Sequence, residues 1–388
     1  MSQKIVSENM IKKILFINGE DTYFLSHRLP AARAAVEAGL EVHVLTVDSG
    51  KRNEIEKLGF NFHGQTVARG KRNPFDLFRK VMHQRHIISV INPQIVQITG
   101  MEQILTGKFS CLAIKNLTII NSVNGLGYAF TSQSIKAKCL KIFIIYFLKI
   151  INRYTRSVFL FQNRFDLRKF EAYRIVDKNC LIIPGSGVDT EAYPATQFPR
   201  IQSTVILGMA CRMIETKGVR EIFRAMQEVW LKSKKIKLYI AGLPDPGNPE
   251  SLSRSELDAI TKSPNIELLG HINNMRDFWS KCHIAVSTSY REGMSMALLQ
   301  AASTGRPLIA TNTAGNNDVC YDKFNGFLVP RYDSDMLAKQ ILHLASNTSL
   351  MEKMATNSAK QISNLGLSAE AIQKRFSQLY KDILSNSR

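Results

Sequence analysis

Short apolar runs alternate with longer amphipathic segments along most of this 388-residue chain. Uninterrupted apolar runs are typical of strands that are buried on both faces, and amphipathic segments between them are typical of helices. The alternation therefore predicts an α/β protein with parallel sheets covered by helices. The predicted strands are residues 13–18, 41–47, 94–99, 118–123, 204–210, 236–241, 266–269, 284–287 and 308–311, and the predicted helices include residues 26–38, 75–90 and 218–234.

The chain is too long for one ordinary core, and a proline-containing stretch at residues 193–201 separates two similar series of strands. We expect two Rossmann-like domains, residues 1–195 and 196–369, with a final helix at about 370–388 packing back on the first. Because ligands of open parallel sheets bind beyond the carboxyl ends of the strands, two such sheets predict a ligand cleft between the domains.

A carboxylate and small residues mark the point where a loop becomes a helix, within residues 290–315. Glu292 is followed by Gly293, which allows close approach to the backbone, and Gly305 ends the helix. The unpaired amides and the positive dipole end of a helix start suit a diphosphate. The carboxylate of Glu292 suits the hydroxyls of a sugar.

Two cations follow the first strand of the second predicted domain. Arg212 comes directly after the strand, and Lys217 stands five residues later before Gly218 at a helix start. Both side chains are therefore expected near one strand end. Together they could neutralise a diphosphate leaving group, as a bound metal ion can.

These segments resemble the donor site of family 4 (group 1) retaining glycosyltransferases, which have the GT-B fold of two Rossmann-like parallel-sheet domains facing across a cleft. The family signature is two glutamates with seven residues between them. Glu292 matches the first glutamate, whereas Gln300 stands at the second position. The Glu-Gly step and the later run Gly-Arg-Pro-Leu-Ile-Ala-Thr keep the family order, and Arg212 and Lys217 match the family's two cations.

The resemblance implies roles for particular residues. Arg212 and Lys217 would stabilise the departing diphosphate, Glu292 would hold the sugar, and Gln300 would meet the ribose. The other residues implied to bind the donor are Gly293, Met294, Ser295, Gly270, His271, Ile272 and Gly19. On the acceptor side the implied residues are His27, Arg28, Asn124 and Gly125.

By the same resemblance, the protein would move a hexose or N-acetylhexosamine from a nucleotide-diphosphate sugar, with a UDP-sugar favoured, to a hydroxyl of an undecaprenyl-diphosphate-linked surface polysaccharide. It would use neither a cofactor nor a metal, like bacterial enzymes of O-antigen, capsule or lipid-linked glycan assembly. Two alternatives stay open. An epimerase of the same fold would need acids and histidines such as Glu20, Asp21 and His27, and Gln300 leaves room for a non-catalytic nucleotide-sugar binder.

The net charge of +19 indicates an anionic partner. Residues 51–175 carry 21 Lys and Arg against 6 Asp and Glu. No reading helix, zinc finger or aromatic stacking motif accompanies them, so nucleic acid is not expected. Residues 136–156 place large apolar side chains between lysines and arginines, as in a helix lying on anionic lipid headgroups. A mostly buried helix with basic ends is the alternative, and both interpretations stay open.

Six scattered cysteines without zinc spacing are typical of buried free thiols in a reducing compartment. No secretory signal is recognised in residues 1–10, and the apolar part of residues 136–156 is too short to span a bilayer. We therefore expect a cytoplasmic protein that lies on the inner face of the cytoplasmic membrane. The sequence gives no indication of the oligomeric state.

Overall fold

The computed structural model describes residues 11–66, 73–131, 134–176, 179–245, 248 and 250–385. Residues 1–10, on which the absence of a secretory signal was judged, lie outside these ranges. The chain divides into two compact units, one of Met1–Ser186 with Ile372–Arg388 and one of Gly187–Ala371.

The first unit is built on a seven-stranded parallel sheet in the order β3-β2-β1-β4-β5-β6-β7. Its strands are β1 Lys12–Ile17, β2 Leu40–Thr46, β3 Asn61–Gly64, β4 Ile95–Thr99, β5 Thr118–Val123, β6 Ser157–Phe161 and β7 Cys180–Ile182. Its helices are α1 Asp21–His27, α2 Leu29–Glu37, α3 Arg52–Lys57, α4 Pro74–Ile91, α5 Met101–Ser110, α6 Tyr128–Thr131, α7 Ile135–Ile151 and α8 Arg164–Ala172. A last helix of the chain, α16 Ala369–Ser385, packs Phe376 and Tyr380 into the core on one face of this sheet.

One predicted helix, residues 26–38, was wrong in extent, because two helices meet at Arg28. Pro30 stands in the first turn of α2. Proline has no backbone N–H, so it is tolerated at a helix start and not inside a helix. The break leaves Arg28 between α1 and α2.

The second unit is built on a six-stranded parallel sheet in the order β10-β9-β8-β11-β12-β13. Its strands are β8 Val205–Ala210, β9 Ile236–Ala241, β10 Ile266–Gly270, β11 Ile284–Ser287, β12 Leu308–Thr311 and β13 Gly326–Val329. Its helices are α9 Val219–Lys232, α10 Arg254–Thr261, α11 Met275–Lys281, α12 Met296–Ser303, α13 Ala314–Asn317, α14 Ser334–Ala345 and α15 Thr348–Asn364. The predicted α/β class with two parallel sheets is confirmed.

Each sheet has a point where the chain reverses its direction of winding. In the first sheet β1 pairs with both β2 and β4, and in the second β8 pairs with both β9 and β11. Ligands of such sheets bind beyond the carboxyl ends of the strands at this point. The loops that follow β1 and β4, and those that follow β8 and β11, are therefore where binding residues are expected.

Candidate functional site

Two loops meet at the switch point of the second sheet. The loop after β8 ends in a short 3₁₀ turn, Glu215–Lys217, and Gly218 follows with a φ of +67°. A Cβ on Gly218 would lie 2.1 Å from the carbonyl oxygen of Thr288, which belongs to the loop after β11. The Thr288 hydroxyl lies 2.9 Å from the carbonyl oxygens of both Lys217 and Gly218, so the two loops are held in contact.

Lys217 and Glu292 are brought together by these loops. The Lys217 ammonium lies 2.5 Å from Glu292 Oε1, and the Ser289 hydroxyl donates to the same oxygen at 2.7 Å. Both side chains are mostly buried, with 22% and 14% of their surfaces exposed. In the ranges that the structure describes, the polar contacts of this carboxylate fall on Oε1, so Oε2 can accept a hydrogen bond from a ligand.

Arg212 lies at the same strand end but has a different partner. Its guanidinium donates to Asp245 Oδ2 at 2.6 Å, and 53% of the side chain is exposed. The charges of Lys217, Glu292 and Arg212 nevertheless all act on one thiol, that of Cys211. Burial raises the pKa of Cys211 to about 12, Lys217 and Arg212 oppose the rise, and Glu292 adds to it. The three predicted residues thus follow β8 or β11, and Arg212 does not pair with Glu292.

The helix after Glu292 begins at Met296, slightly later than the sequence suggested. Ser295 is its N-cap, and the Ser295 side chain accepts from the amide of Leu298 at 3.3 Å. Met294 and Ser295 are buried. The start of α12 therefore follows Gly293 closely, on the same loop as Glu292, where its dipole favours a negative ligand.

Gln300 lies inside α12, and its side-chain oxygen is already engaged. The indole N–H of Trp279 donates to Gln300 Oε1 at 3.4 Å. This contact directs the amide nitrogen of Gln300 away from Trp279. The role of Gln300 toward a ribose stays a prediction.

The three residues predicted to meet a nucleotide base lie at the end of β10. Gly270 has a φ of +68°, and its carbonyl oxygen accepts from the amide of Gly242 at 2.7 Å. His271 is exposed and Ile272 is half-buried. Gly270 is the last residue of β10, and β9 lies between β10 and β8 in the sheet. The three residues are therefore at the same carboxyl edge of the sheet as Arg212.

The acceptor-side residues lie in the first unit, at the carboxyl ends of its strands. Arg28 is buried, and its Nη2 donates to Asn124 Oδ1 at 2.8 Å, so these two predicted residues are in contact. His27 stacks on the ring of Tyr23 with centroids 4.4 Å apart. Gly125 follows β5 and has a φ of +107°. Gly19, which is predicted to bind the donor, also lies in this unit and follows β1. Sequence reasoning missed Tyr23, which no motif singles out.

A second surface of the first unit is formed by α7. One side of this helix is buried through Ala137, Ile144, Leu148 and Ile151. The other side exposes large apolar residues, with Phe143 58% and Tyr146 62% exposed. The further exposed residues on it are Ile135, Leu140, Ile142 and Ile150. The helix is therefore not mostly buried, and the interpretation that it lies on a lipid surface stays a prediction.

Asp333 is a helix cap, because its side chain accepts from the amide of Met336 at the start of α14 at 2.8 Å. The expectation that all six cysteines are buried was wrong for Cys139, which is exposed on α7, and for Cys180 and Cys211, which are half-buried. Where side chains are described, no group of three His, Cys, Asp or Glu residues is arranged to hold a metal ion. Likewise, none of the helices in the described ranges has the length and apolar character needed to cross a membrane.

The chain thus has two Rossmann-like parallel sheets, and the Lys217–Glu292 pair lies at the carboxyl edge of the second. A family model described as glycosyl transferases group 1 matches residues 204–347, and one described as glycosyl transferase 4-like matches residues 13–157. The two models together cover most of the chain. The protein belongs to the group 1 glycosyltransferases.

Similar proteins include bacterial glycosyltransferases. The chain is 21% identical to N,N'-diacetylbacillosaminyl-diphospho-undecaprenol alpha-1,3-N-acetylgalactosaminyltransferase of Campylobacter jejuni, over 94% of this chain and 99% of that protein. It is 25% identical to the capsular polysaccharide biosynthesis glycosyltransferase CapM of Staphylococcus aureus, a match that spans 48% of either chain.

Solved structures share the fold. A sucrose-phosphate synthase from Thermosynechococcus elongatus superposes with a TM-score of 0.82 at 15% identity, over 97% of this chain and 100% of that one. Anabaena HepE in complex with UDP superposes with a TM-score of 0.75 at 14% identity, over 95% of this chain and 100% of that one. This chain therefore has the fold of the GT-B glycosyltransferases.

Proposed function

We propose that this protein is a retaining glycosyltransferase that moves a hexose or N-acetylhexosamine from a UDP-sugar to a hydroxyl of an undecaprenyl-diphosphate-linked polysaccharide precursor. The observation that carries the proposal is the Lys217–Glu292 pair at the switch point of the second sheet. It puts a cation, for a diphosphate, next to a carboxylate, for sugar hydroxyls.

The names of two relatives support the lipid-linked acceptor. The Campylobacter jejuni relative is named for a diphospho-undecaprenol acceptor. A second relative, from Escherichia coli, is named UDP-Gal:alpha-D-GlcNAc-diphosphoundecaprenol alpha-1,3-galactosyltransferase and is 30% identical over 31% of this chain. The second name also supports a UDP-sugar as the donor.

The leaving diphosphate would be stabilised by Lys217, Arg212 and the amides of residues 293–295. In many enzymes, preorganised hydrogen-bond donors that face the charge developing in the transition state make the largest contribution to the rate enhancement. Lys217 is already held in place by Glu292. Arg212 can exchange Asp245 for a phosphate, because an exposed ion pair contributes only about 0–1 kcal/mol. Two side-chain cations would then supply the charge that other transferases take from a metal.

Glu292 would hold the transferred sugar. Its Oε1 is fixed by Lys217 and Ser289, which leaves Oε2 to accept from sugar hydroxyls. Retention would follow from attack on the same face that the diphosphate leaves. The anomeric carbon loses its bond to the phosphate oxygen and gains one to the acceptor oxygen, and the acceptor proton passes to a phosphate oxygen of the donor.

The exposed side of α7 would place the enzyme on the inner face of the cytoplasmic membrane. Phe143, Tyr146 and Ile150 are exposed, and Lys141 and Lys149 lie on the same helix. Apolar side chains at the headgroup boundary, together with lysines facing anionic lipids, are typical of helices that lie in a membrane interface.

Changing Lys141 and Lys149 to Glu is expected to release the protein from anionic vesicles in flotation. Each lysine near an anionic membrane contributes about 1 kcal/mol to the free energy of binding. Reversing the charge of two lysines should therefore lower the affinity for the vesicles at least about tenfold. Lys262→Glu with Lys353→Glu, two exposed sites in the second unit, is the control and should float as the wild type does. Unchanged flotation of the Lys141 and Lys149 variant would exclude a lipid-facing role for α7.

Incubation with labelled nucleotide sugars tests the reaction itself. We expect free UDP to appear only when an undecaprenyl-diphosphate-linked acceptor is present, together with label in the lipid fraction. An interconverted nucleotide sugar would indicate an epimerase. Binding without turnover of any donor would indicate a non-catalytic binder.

A further inference from the structure

The hydroxyl of Tyr23 on α1 is held by two neighbours in the first unit. Arg28 Nη2 lies 3.3 Å from this oxygen, and Asn124 Nδ2 also donates to it. Arg28 Nη2 donates at the same time to Asn124 Oδ1 at 2.8 Å. The three side chains therefore close a ring of hydrogen bonds that joins α1 to the loop after β5.

The chemistry of these groups fixes the direction of every bond. A guanidinium has only donors, so Asn124 must present its oxygen to Arg28 and its amide nitrogen to Tyr23. The Tyr23 oxygen therefore accepts from both neighbours, and its own O–H takes part in neither bond. Across the described parts of the chain this hydroxyl makes no other hydrogen bond. Tyr23 is only half-buried, so the O–H can donate to a bound molecule.

The charge behind Tyr23 favours an anion. Only 2% of Arg28 is exposed, and its hydrogen-bond partners are the neutral groups of Tyr23 and Asn124. Within the described residues the Nε of Arg28 has no hydrogen-bond partner, and the guanidinium lies 5.8 Å from the centroid of the Tyr23 ring. A buried cation without a carboxylate is costly, and its field acts strongly at short range in a low dielectric. A negative oxygen bound at the Tyr23 hydroxyl would offset this cost.

The position in the fold is that of a ligand site. Asn18 follows β1, at the point where the winding reverses, and Asn124 follows β5, one strand beyond β4 at the same carboxyl edge. Asn18 is fully buried, and both polar atoms of its side chain lack a hydrogen-bond partner in the part of the chain that the structure describes. Buried polar groups without partners are rare and indicate a role beyond packing.

We propose that the Tyr23 hydroxyl donates to a phosphoryl oxygen of the acceptor substrate, and that Arg28 is the positioning residue that fixes Tyr23 and Asn124 and supplies the charge. Naming the acceptor's phosphate rests on the proposed function. The diphosphate of the donor is assigned to Lys217 and Arg212 in the second unit, so the Tyr23 site would hold a different phosphoryl group.

Titration of the full chain with inorganic pyrophosphate in saturating UDP tests this proposal. We expect wild type and Tyr321→Phe, which removes an exposed hydroxyl in the second unit, to bind alike. Tyr23→Phe should weaken pyrophosphate binding about tenfold, because it removes one hydrogen bond to a charged group. Arg28→Gln should weaken it at least as much, and Arg28→Lys should restore part of it. Melting curves, and UDP affinities equal to that of the wild type, verify the fold of each variant.

Equal pyrophosphate binding by Tyr23→Phe and wild type would overturn the proposal, as would the absence of pyrophosphate binding to the UDP-saturated wild type. A loss in Lys217→Ala that Tyr23→Phe does not share would place the anion in the second unit and overturn it too. If UDP itself fails to bind, the proposed donor site is wrong. The comparison of Tyr23→Phe with wild type then still decides the present inference.

Discussion

Glu292→Ala is expected to lower the rate of sugar transfer by a factor of about 10² to 10³ or more while leaving the fold intact, as seen when a preorganised polar group is removed from an active site. The variant loses the carboxylate that Lys217 and Ser289 hold in place. Because Lys217 then has no competing anion, UDP affinity should stay the same or rise. Steady-state rates with donor and acceptor, together with UDP titration, measure both effects.

The matched control for Glu292→Ala is Glu267→Ala, which removes an exposed carboxylate on β10 of the same unit. Its rate should equal that of the wild type. A Glu292→Ala enzyme whose rate falls within twofold of the wild type would remove this carboxylate from the reaction. Weaker UDP binding in that variant would show that Glu292 acts by ordering the loop after β11.

Gly242→Ala is expected to destabilise the protein by about 3 kcal/mol or more. A Cβ on Gly242 would lie 1.7 Å from the carbonyl oxygen of Cys211, and the loops after β8 and β9 would have to separate. The same movement would shift Arg212, so the remaining folded protein should also bind UDP more weakly. Urea unfolding measures the first effect, and calorimetric titration measures the second.

Gly270→Ala is the control for Gly242→Ala. Gly270 also has a positive φ, +68°, at the same edge of the sheet, but an added Cβ would have only a Leu243 carbon at 3.9 Å. Gly270→Ala should lower the free energy of unfolding only by the backbone strain of a left-handed residue, about 1–2 kcal/mol. Similar losses in both variants would show that the approach of Gly242 to Cys211 is not a tight constraint.

Several buried strands with an uninterrupted apolar run could be predicted. The strands Thr118–Val123, Ile236–Ala241, Ile284–Ser287 and Leu308–Thr311 have the predicted bounds. The sequence did not reveal β3 and β7, which lie at the edges of the first sheet and are partly exposed, or β6, which is an inner strand of that sheet. Short edge strands carry neither a long apolar run nor a clear alternation, so their pairing depends on the neighbouring strand.

Asn325-Gly326 shows how a local pattern can be incomplete, because Gly326 begins β13. Asn325 is fully buried, and its side chain donates to the carbonyl of Val319 at 2.9 Å. A Cβ on Gly326 would lie 2.1 Å from the carbonyl oxygen of Leu308, so the glycine permits close pairing with β12. The dipeptide is typical of turns, and only the sheet pairing shows its other role.

Contacts within the candidate site could be predicted only in part. Lys217 and Glu292 each follow a strand end, and the order of strands in a doubly wound sheet brings such ends together. The pairing of Arg212 with Asp245 and that of Trp279 with Gln300 depend on the reach of side chains between loops distant in sequence. No spacing rule predicts them. The ring of Tyr23, Arg28 and Asn124 has the same origin.

The most direct measurement for the central claim is the affinity for UDP of Lys217→Ala compared with Lys232→Ala. Both lysines form an ion pair with a glutamate, Lys217 with Glu292 at the strand ends and Lys232 with Glu228 on the surface of α9. We expect Lys217→Ala to bind UDP at least about tenfold more weakly, since a charge-assisted contact contributes about 1.5–3 kcal/mol. Lys232→Ala should bind as the wild type does. Equal affinities for all three proteins would contradict a diphosphate site at Lys217.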